Sequence, residues 1–95
     1  YACSKGALNS LSLSLARTLA PKITVNSICP GYVETGWHGS SKEVYKKSKI
    51  NEKIVPLKKS AKPEDIASSI MWFVTSKNLI TGETIYVDGG YHLKA

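Results

Sequence analysis

The chain has 95 residues, enough for one small domain, and its 42% hydrophobic and 21% charged residues give a globular balance. No apolar run approaches the ~20 residues of a membrane span, so no transmembrane segment is expected. The net charge of +6 is local: eight lysines between Lys42 and Lys62 face only Glu43 and Glu52 there, and they account for the whole excess.

The remaining composition narrows the chemistry. Cys3 and Cys29 form no CxxC and read as reduced, buried thiols, which fits a cytoplasmic protein. His38 and His92 have no metal-ligand spacing with cysteine or acidic residues, so no metal site is expected. The first residue is Tyr rather than Met, and residues 1–20 lack the basic lead-in of a secretory signal. The chain therefore reads as a fragment or a processed product.

Residues 1–20 predict a helix. Leu8, Leu11, Leu15 and Leu19 recur at helical spacing and form a stripe expected to be buried. Ser10, Ser12 and Ser14 lie between them, small enough for a second helix to approach closely. Pro21 ends the helix. Ile23–Cys29 is a β-branched run between Pro21 and Pro30-Gly31 and predicts a strand buried on both faces, as in a parallel sheet. Residues 36–61 form a polar, basic insertion in which Trp37, Val44, Tyr45, Ile50 and Ile54 line one face of one or two short helices. Lys62-Pro63-Glu64-Asp65 is a helix start, with Pro at the first helical position and acids against the dipole. Ile66, Ile70, Phe73 and Val74 give that helix its buried stripe, and Lys77-Asn78 its end. Thr81-Gly82 marks a turn, Thr84–Val87 a second strand, and Asp88-Gly89-Gly90 its termination. Strand, crossover with helix, and strand make one βαβ unit.

Two features carry chemistry. Tyr1 and Lys5 are four residues apart, so a helix places them on one face, one turn apart. A free tyrosine titrates near pH ~10, and a close cation favours the phenolate, which makes such a pair a tuned general acid/base. The lysine-rich segment is either solvated surface or an attractor for an anionic partner, such as a phosphorylated substrate or an acidic carrier protein. Nucleic acid is not expected, because no Arg-rich stripe or aromatic-interleaved motif is present.

Four segments together resemble a known family. Tyr1-Ala2-Cys3-Ser4-Lys5, followed by Gly6-Ala7-Leu8, resembles the Tyr-x-x-x-Lys active-site helix of the short-chain dehydrogenase/reductase family. The run from Ile23 through Pro30-Gly31-Tyr32-Val33-Glu34-Thr35 resembles the strand and Pro-Gly-x-x-x-Thr loop that follow it. Lys62-Pro63-Glu64-Asp65-Ile66-Ala67 is similar to the family's Pro-Glu-Asp-Ile-Ala helix start, and Thr81-Gly82 through Gly90 to its final strand. The order and spacings agree, and the segments cover nearly the whole chain apart from 36–61 and the last five residues. Lys59-Ser60-Ala61 stands where relatives often have Arg-x-Gly.

The resemblance implies an α/β fold: residues 1–95 as the C-terminal part of a single Rossmann-like, doubly wound parallel sheet, in the order helix, strand, lid, helix, strand. It implies an NAD(P)-dependent oxidoreductase interconverting an alcohol and a carbonyl, with NAD or NADP left open. Tyr1 would be the general acid/base. Lys5 would assist it and bind the nicotinamide ribose. Pro30 and Gly31 would let backbone approach the nicotinamide, Val33 would bond the carboxamide, and Thr35 would place a hydroxyl on the carboxamide or a phosphate. Residues 36–61 match the substrate lid, with Trp37 as a wall of the substrate pocket. The family's Gly-rich phosphate loop, catalytic Ser and structural Asn lie upstream of the matching segments, so this fragment alone is expected to be inactive. The first helix implies a homodimer contact, and a homotetramer is also implied. Two other readings stay open: a truncated, catalytically incompetent chain that keeps only an oligomer interface, and a carrier- or anion-binding module built on the lysine-rich lid.

Overall fold

A computed structural model describes residues 1–93, leaving 94 and 95 outside the described residues. The elements are helix α1 (Ala2–Leu19), strand β1 (Ser27–Pro30), a single 3₁₀ turn (Gly36–His38), helix α2 (Ser41–Ile54), helix α3 (Pro63–Thr75), strand β2 (Thr84–Val87) and a second 3₁₀ turn (Tyr91–Leu93). β1 and β2 form a two-stranded parallel sheet. The α/β class and the order helix, strand, intervening helical segment, helix, strand therefore hold. The chain divides into two compact units: Tyr1–Ile28 with Lys77–Ile85, and Cys29–Ser76 with the residues from Tyr86 onward.

In the first unit, α1 runs without interruption to Leu19, where Pro21 forbids continuation. Its serine and threonine hydroxyls bond back to the helix, as in Ser12 Oγ to the Leu8 carbonyl at 2.9 Å. Ala16 is the buried residue of this helix. The leucine stripe is not buried: Leu8 and Leu11 are each 51% exposed and Leu15 38%. Periodicity identified a face that seeks cover, and nothing within the described residues covers it.

β1 also begins later than expected, at Ser27 rather than Ile23. The reason is side-chain pairing. The amide N–H of Val25 donates to Thr81 Oγ1 at 3.1 Å, and the Gly82 N–H donates to the Val25 carbonyl at 2.7 Å. The Asn26 side chain donates to the Ile80 carbonyl and accepts from the Glu83 N–H, each at 3.1 Å. These contacts take up the backbone groups that a ladder would use, and regular pairing starts with Ser27 N–H to the Glu83 carbonyl at 2.8 Å.

In the second unit, helix starts follow their sequence signals. Ser40 caps α2 in a reciprocal box: the Glu43 carboxylate accepts from the Ser40 N–H at 2.7 Å. Those bonds, the backbone one foremost, hold the Glu43 carboxyl below its usual range. Asp65 does the same for α3, accepting from the Lys62 N–H at 2.8 Å behind Pro63. The inner face of α2 is not the expected Trp37, Val44, Tyr45, Ile50, Ile54 set. Trp37, Tyr45, Ile50 and Ile54 are exposed, and Ser48 and Val55 are buried instead. Ser48 Oγ donates to Glu34 Oε1 at 2.6 Å, Ser60 Oγ donates to the Ser48 carbonyl at 3.0 Å, and Asn51 Nδ2 donates to Ser60 Oγ at 3.1 Å. A satisfied polar chain occupies the place where apolar residues were sought. On α3, too, the stripe is only half covered, with Ile70 46% and Val74 72% exposed.

The end of β2 is the tightest part of this unit. Gly31 N–H donates to the Val87 carbonyl at 3.2 Å. A Cβ on Gly31 would sit 2.7 Å from Asp88 Cβ and 2.9 Å from Asp88 Cα. Gly89 (φ 65°) and Gly90 (φ 87°) turn the chain left-handed against Val55 and Pro56. The Asp88 carboxylate, 7% exposed, accepts from the Gly90 N–H at 2.9 Å, from the His92 N–H at 2.9 Å, and pairs with His92 Nδ1 at 2.9 Å. Burial works against its charge, yet these bonds and the His92 ring outweigh burial and hold the Asp88 carboxyl below the usual range.

Two outcomes follow for stability. Gly31→Ala forces a methyl against backbone, which cannot yield as a side-chain tip would, and is expected to cost about 1–3 kcal/mol in urea unfolding. Asp88→Asn is expected to cost a similar ~1–3 kcal/mol at neutral pH, the worth of hydrogen bonds to a charged acceptor. Because the folded carboxyl titrates below its unfolded value of ~3.9, the unfolded state binds the proton first as pH falls. The gap between the Asp88→Asn variant and its parent should stay full above that value and close below it; a gap independent of pH between about 7 and about 3 would remove the carboxylate from this role.

Candidate active site

Tyr1 sits at the N-terminal boundary of α1 and is 90% exposed. Its carbonyl accepts from the Lys5 N–H at 3.1 Å and from Ser4 Oγ at 2.7 Å, which fixes the first turn. One turn on, the Lys5 ammonium lies over the Tyr1 ring, 5.6 Å from its centroid. The helix therefore brings the phenol and the ammonium to the same side, in cation–π range. Cys3, between them in sequence, is a free, exposed thiol.

The second unit carries the other predicted residues in one stretch. Pro30 ends β1 and is exposed. Gly31 owes its lack of a side chain to Asp88, a packing reason that the sequence reading did not include. Val33 forms an isolated parallel bridge with Ala61, in which the Glu34 N–H donates to the Ala61 carbonyl at 2.9 Å. In such a bridge the flanking residues make the bonds, so Val33's own N–H and C=O point to the opposite side. Thr35 precedes the 3₁₀ turn; its carbonyl accepts from the His38 N–H at 3.2 Å, and its hydroxyl makes no cap bond. Thr35 and Glu34 line a hollow of about 570 Å³ shared with Val44, Ser48 and Glu52 of α2. Trp37 is 86% exposed and does not line that hollow. The fold thus brings Tyr1 and Lys5 together, while Pro30 and Gly31 line one hollow, Thr35 lines another, and Trp37 stands out on the surface.

Three residues with clear positioning roles escaped the sequence reading. Tyr32 donates from its hydroxyl to the Val44 carbonyl at 3.0 Å and packs its ring on His38, centroids 4.4 Å apart. Burial, with the Glu34 carboxylate adding to it, pushes the Tyr32 phenol above its usual value, so it remains a donor. Asp88 and His92 form the pair described above, with Tyr86 stacked on the His92 ring at 4.5 Å. A hollow of about 350 Å³ beside them is lined by Tyr32, Asn51, Ser60, Tyr86, Asp88 and His92, among others. The i, i+4 spacing of Asp88 and His92 was the signal available for that pair. Among the described residues, no group of three or more His, Cys, Asp or Glu could hold a metal ion, and no helix is long and apolar enough to cross a membrane.

Comparison with known proteins identifies the family. Residues 1–92 match the family model described as Enoyl-(Acyl carrier protein) reductase. The short-chain dehydrogenase/reductase homolog YusR of Bacillus subtilis is 39% identical over 93 residues, which are 98% of this chain and 69% of YusR. A solved glucose/ribitol-type short-chain dehydrogenase/reductase from Brucella melitensis is 38% identical with a TM-score of 0.83, covering 96% of this chain and 37% of that one. A small-chain dehydrogenase solved with NADPH is 30% identical with a TM-score of 0.81, covering 94% of this chain and 41% of that one. 4-hydroxyisoleucine dehydrogenase, solved with NADH, is 28% identical with a TM-score of 0.80, covering all of this chain and 39% of that one. The chain spans just over a third of the length of the first curated relatives it matches. With the family model matched over nearly its whole length, the chain belongs to the short-chain dehydrogenase/reductase family.

Proposed function

We propose that this chain supplies the proton-transfer pair and part of the nicotinamide-binding surface of an oxidoreductase that interconverts a small alcohol and a carbonyl with NAD or NADP. The observation that carries the reading is the placement of the Tyr1 phenol and the Lys5 ammonium on one side of the first turn of α1. Tyr1 gives its hydroxyl proton to the carbonyl oxygen in reduction and takes one from the alcohol in oxidation. Lys5 sets a positive charge over the Tyr1 ring, and its three N–H donors suit the two ribose hydroxyls. A dinucleotide held there would supply or accept the hydride.

The loop after β1 supports a nicotinamide partner on two points. The N–H and C=O of Val33 face away from their bridge to Ala61, as bonding to a carboxamide requires. The Thr35 hydroxyl is not spent on capping the turn behind it. Pro30 and Gly31 hold that loop at the end of β1. Residues 36–61 act as the substrate lid, and Trp37, exposed at its start, has its ring free to cover a substrate. The activity belongs to the longer protein, with the fragment alone inactive.

The half-exposed leucines of α1 support a homodimer or homotetramer in which a second subunit covers them. The two free thiols, Cys3 and Cys29, fit a reducing, cytoplasmic setting.

Tyr1→Phe in the intact enzyme tests the central claim. Turnover of an alcohol/carbonyl pair should fall by about 10²–10⁴-fold, while the dissociation constant for the dinucleotide changes less than about twofold. Retained turnover would take Tyr1 out of the reaction, and loss of dinucleotide binding would make its role structural.

A further inference from the structure

We propose that the turn Gly36–His38 is a rigid mount that presents the Trp37 ring as a preset wall for the flat apolar part of an uncharged substrate, with Lys47 as the residue that positions it. The inference rests on the reading of Trp37 as the substrate's cover, and adds what holds that ring and what it selects. Gly36 and Gly39 bracket Trp37 and His38, a composition that ordinarily gives a loose loop. The two glycines differ in the structure. Gly36 has open space where a Cβ would stand. Gly39 has φ 112°, which L side chains rarely adopt, and a Cβ there would fall inside the Glu43 carboxylate. That carboxylate is itself fixed, accepting from the Ser40 N–H at 2.7 Å and from the Ser40 hydroxyl at 3.0 Å.

Helix α2 supplies the rest of the mount along one stripe. Ser40, Glu43, Val44 and Lys47 stand at i, i+3, i+4 and i+7, which a helix gathers on one side. Ser40 and Glu43 seat Gly39. The Val44 carbonyl accepts from the Tyr32 hydroxyl at 3.0 Å, and the Tyr32 ring packs on the His38 ring with centroids 4.4 Å apart. Lys47 Nζ donates to the His38 carbonyl at 2.8 Å, and the His38 N–H donates to the Thr35 carbonyl at 3.2 Å. His38 is thus held by its N–H, its carbonyl and its ring. Trp37, beside it, is 86% exposed, and its indole N–H has no partner among the described residues.

A large aromatic side chain left in water on a clamped backbone is a preorganised contact. The cost of ordering the backbone is met before anything binds, and the apolar area is still to be buried. The charges of the mount are spent inside it: the Lys47 ammonium on the His38 carbonyl, and the Glu43 carboxylate on Ser40. What remains on offer is a flat apolar face with one N–H donor at its edge. Within the alcohol/carbonyl class this suits an aromatic or branched apolar group next to an acceptor oxygen, as in an aryl ketone or its alcohol. It gives no counter-charge to a phosphorylated or carboxylate tail.

The test uses the intact protein labelled with 5-fluorotryptophan, the Trp37 fluorine signal being assigned by its loss in Trp37→Phe. In the unaltered protein that line should have the width set by overall tumbling; Lys47→Ala should narrow it about twofold or more, and Lys47→Arg should restore it. Acetophenone added with the dinucleotide should shift the line, and phenyl phosphate should shift it less. In turnover, Trp37→Ala should raise the KM for acetophenone about tenfold and Lys47→Ala about threefold, with kcat and the KM for the dinucleotide each within about twofold. A role in stability alone moves neither the linewidth nor that split. A shift with acetophenone but no turnover in the unaltered protein would count against the oxidoreductase reading and leave the mount standing. A Trp37 line already narrow in the unaltered protein, no shift with acetophenone, or a larger shift with phenyl phosphate would overturn the proposal.

Discussion

The second unit is organised round a place where two backbones come too close for any side chain. Gly31, at the exit of β1, and Asp88, at the exit of β2, approach so closely that a Cβ on the glycine would lie 2.9 Å from the aspartate's Cα. That approach sets where the loop 31–35 starts, and so where Val33 and Thr35 stand. It needs Asp88 to be immobile. The carboxylate secures this by accepting the Gly90 and His92 N–H groups and holding the His92 ring. Charge-assisted bonds of this kind are worth roughly twice a neutral one, enough to outweigh the burial that opposes the charge. One acidic side chain thus fixes a strand end and a turn, and a stacked pair of rings with them.

Much of the fold was legible because some residues permit only one local structure. Pro21 had to end α1, and Pro63 with Glu64 and Asp65 had to begin α3. The β-branched run at Thr84–Val87 marked β2 within its observed bounds. The late start of β1 was not legible. Ile23 and Val25 have the right character for a strand, but Thr81 and Asn26 supply bonds that only the folded turn brings within reach. The Tyr1–Lys5 pair was legible for the opposite reason: a helix makes i and i+4 neighbours without help from the rest of the chain. Gly31 was read as a glycine that a ligand approaches; its near neighbour in the structure is Asp88. That neighbour lies far along the chain, and no pattern read along the sequence pairs them.

The leucines of α1 show the limit of periodicity from the other side. Fully burying one such side chain is worth about 1.5–3 kcal/mol, so Leu8, Leu11 and Leu15 left half exposed forgo a large share of the helix's driving force. A stripe in the sequence states that a face is apolar. It does not state whether the cover comes from the same unit, a longer chain or a second copy. The same holds for α3, where Ile66 and Phe73 are partly covered and Ile70 and Val74 are open.

Helix α2 departs from both. Its inner face carries Ser48 and Asn51 among the apolar positions, and its attachment runs through Glu34, Ser60 and the Tyr32 hydroxyl. Each such bond is worth about 0.5–1.5 kcal/mol net, because water would satisfy the same groups on release. Val55, 1% exposed, is the one large side chain fully sealed among the described residues, and it sits just past the helix end, against Gly89. The helix is therefore tethered firmly at its C-terminal end and lightly along its length. Its fixed point lies at that end, and the contacts along its length exchange with water at little net cost. The polar residues that spoiled the apolar pattern of 36–61 are the ones that hold the helix in place.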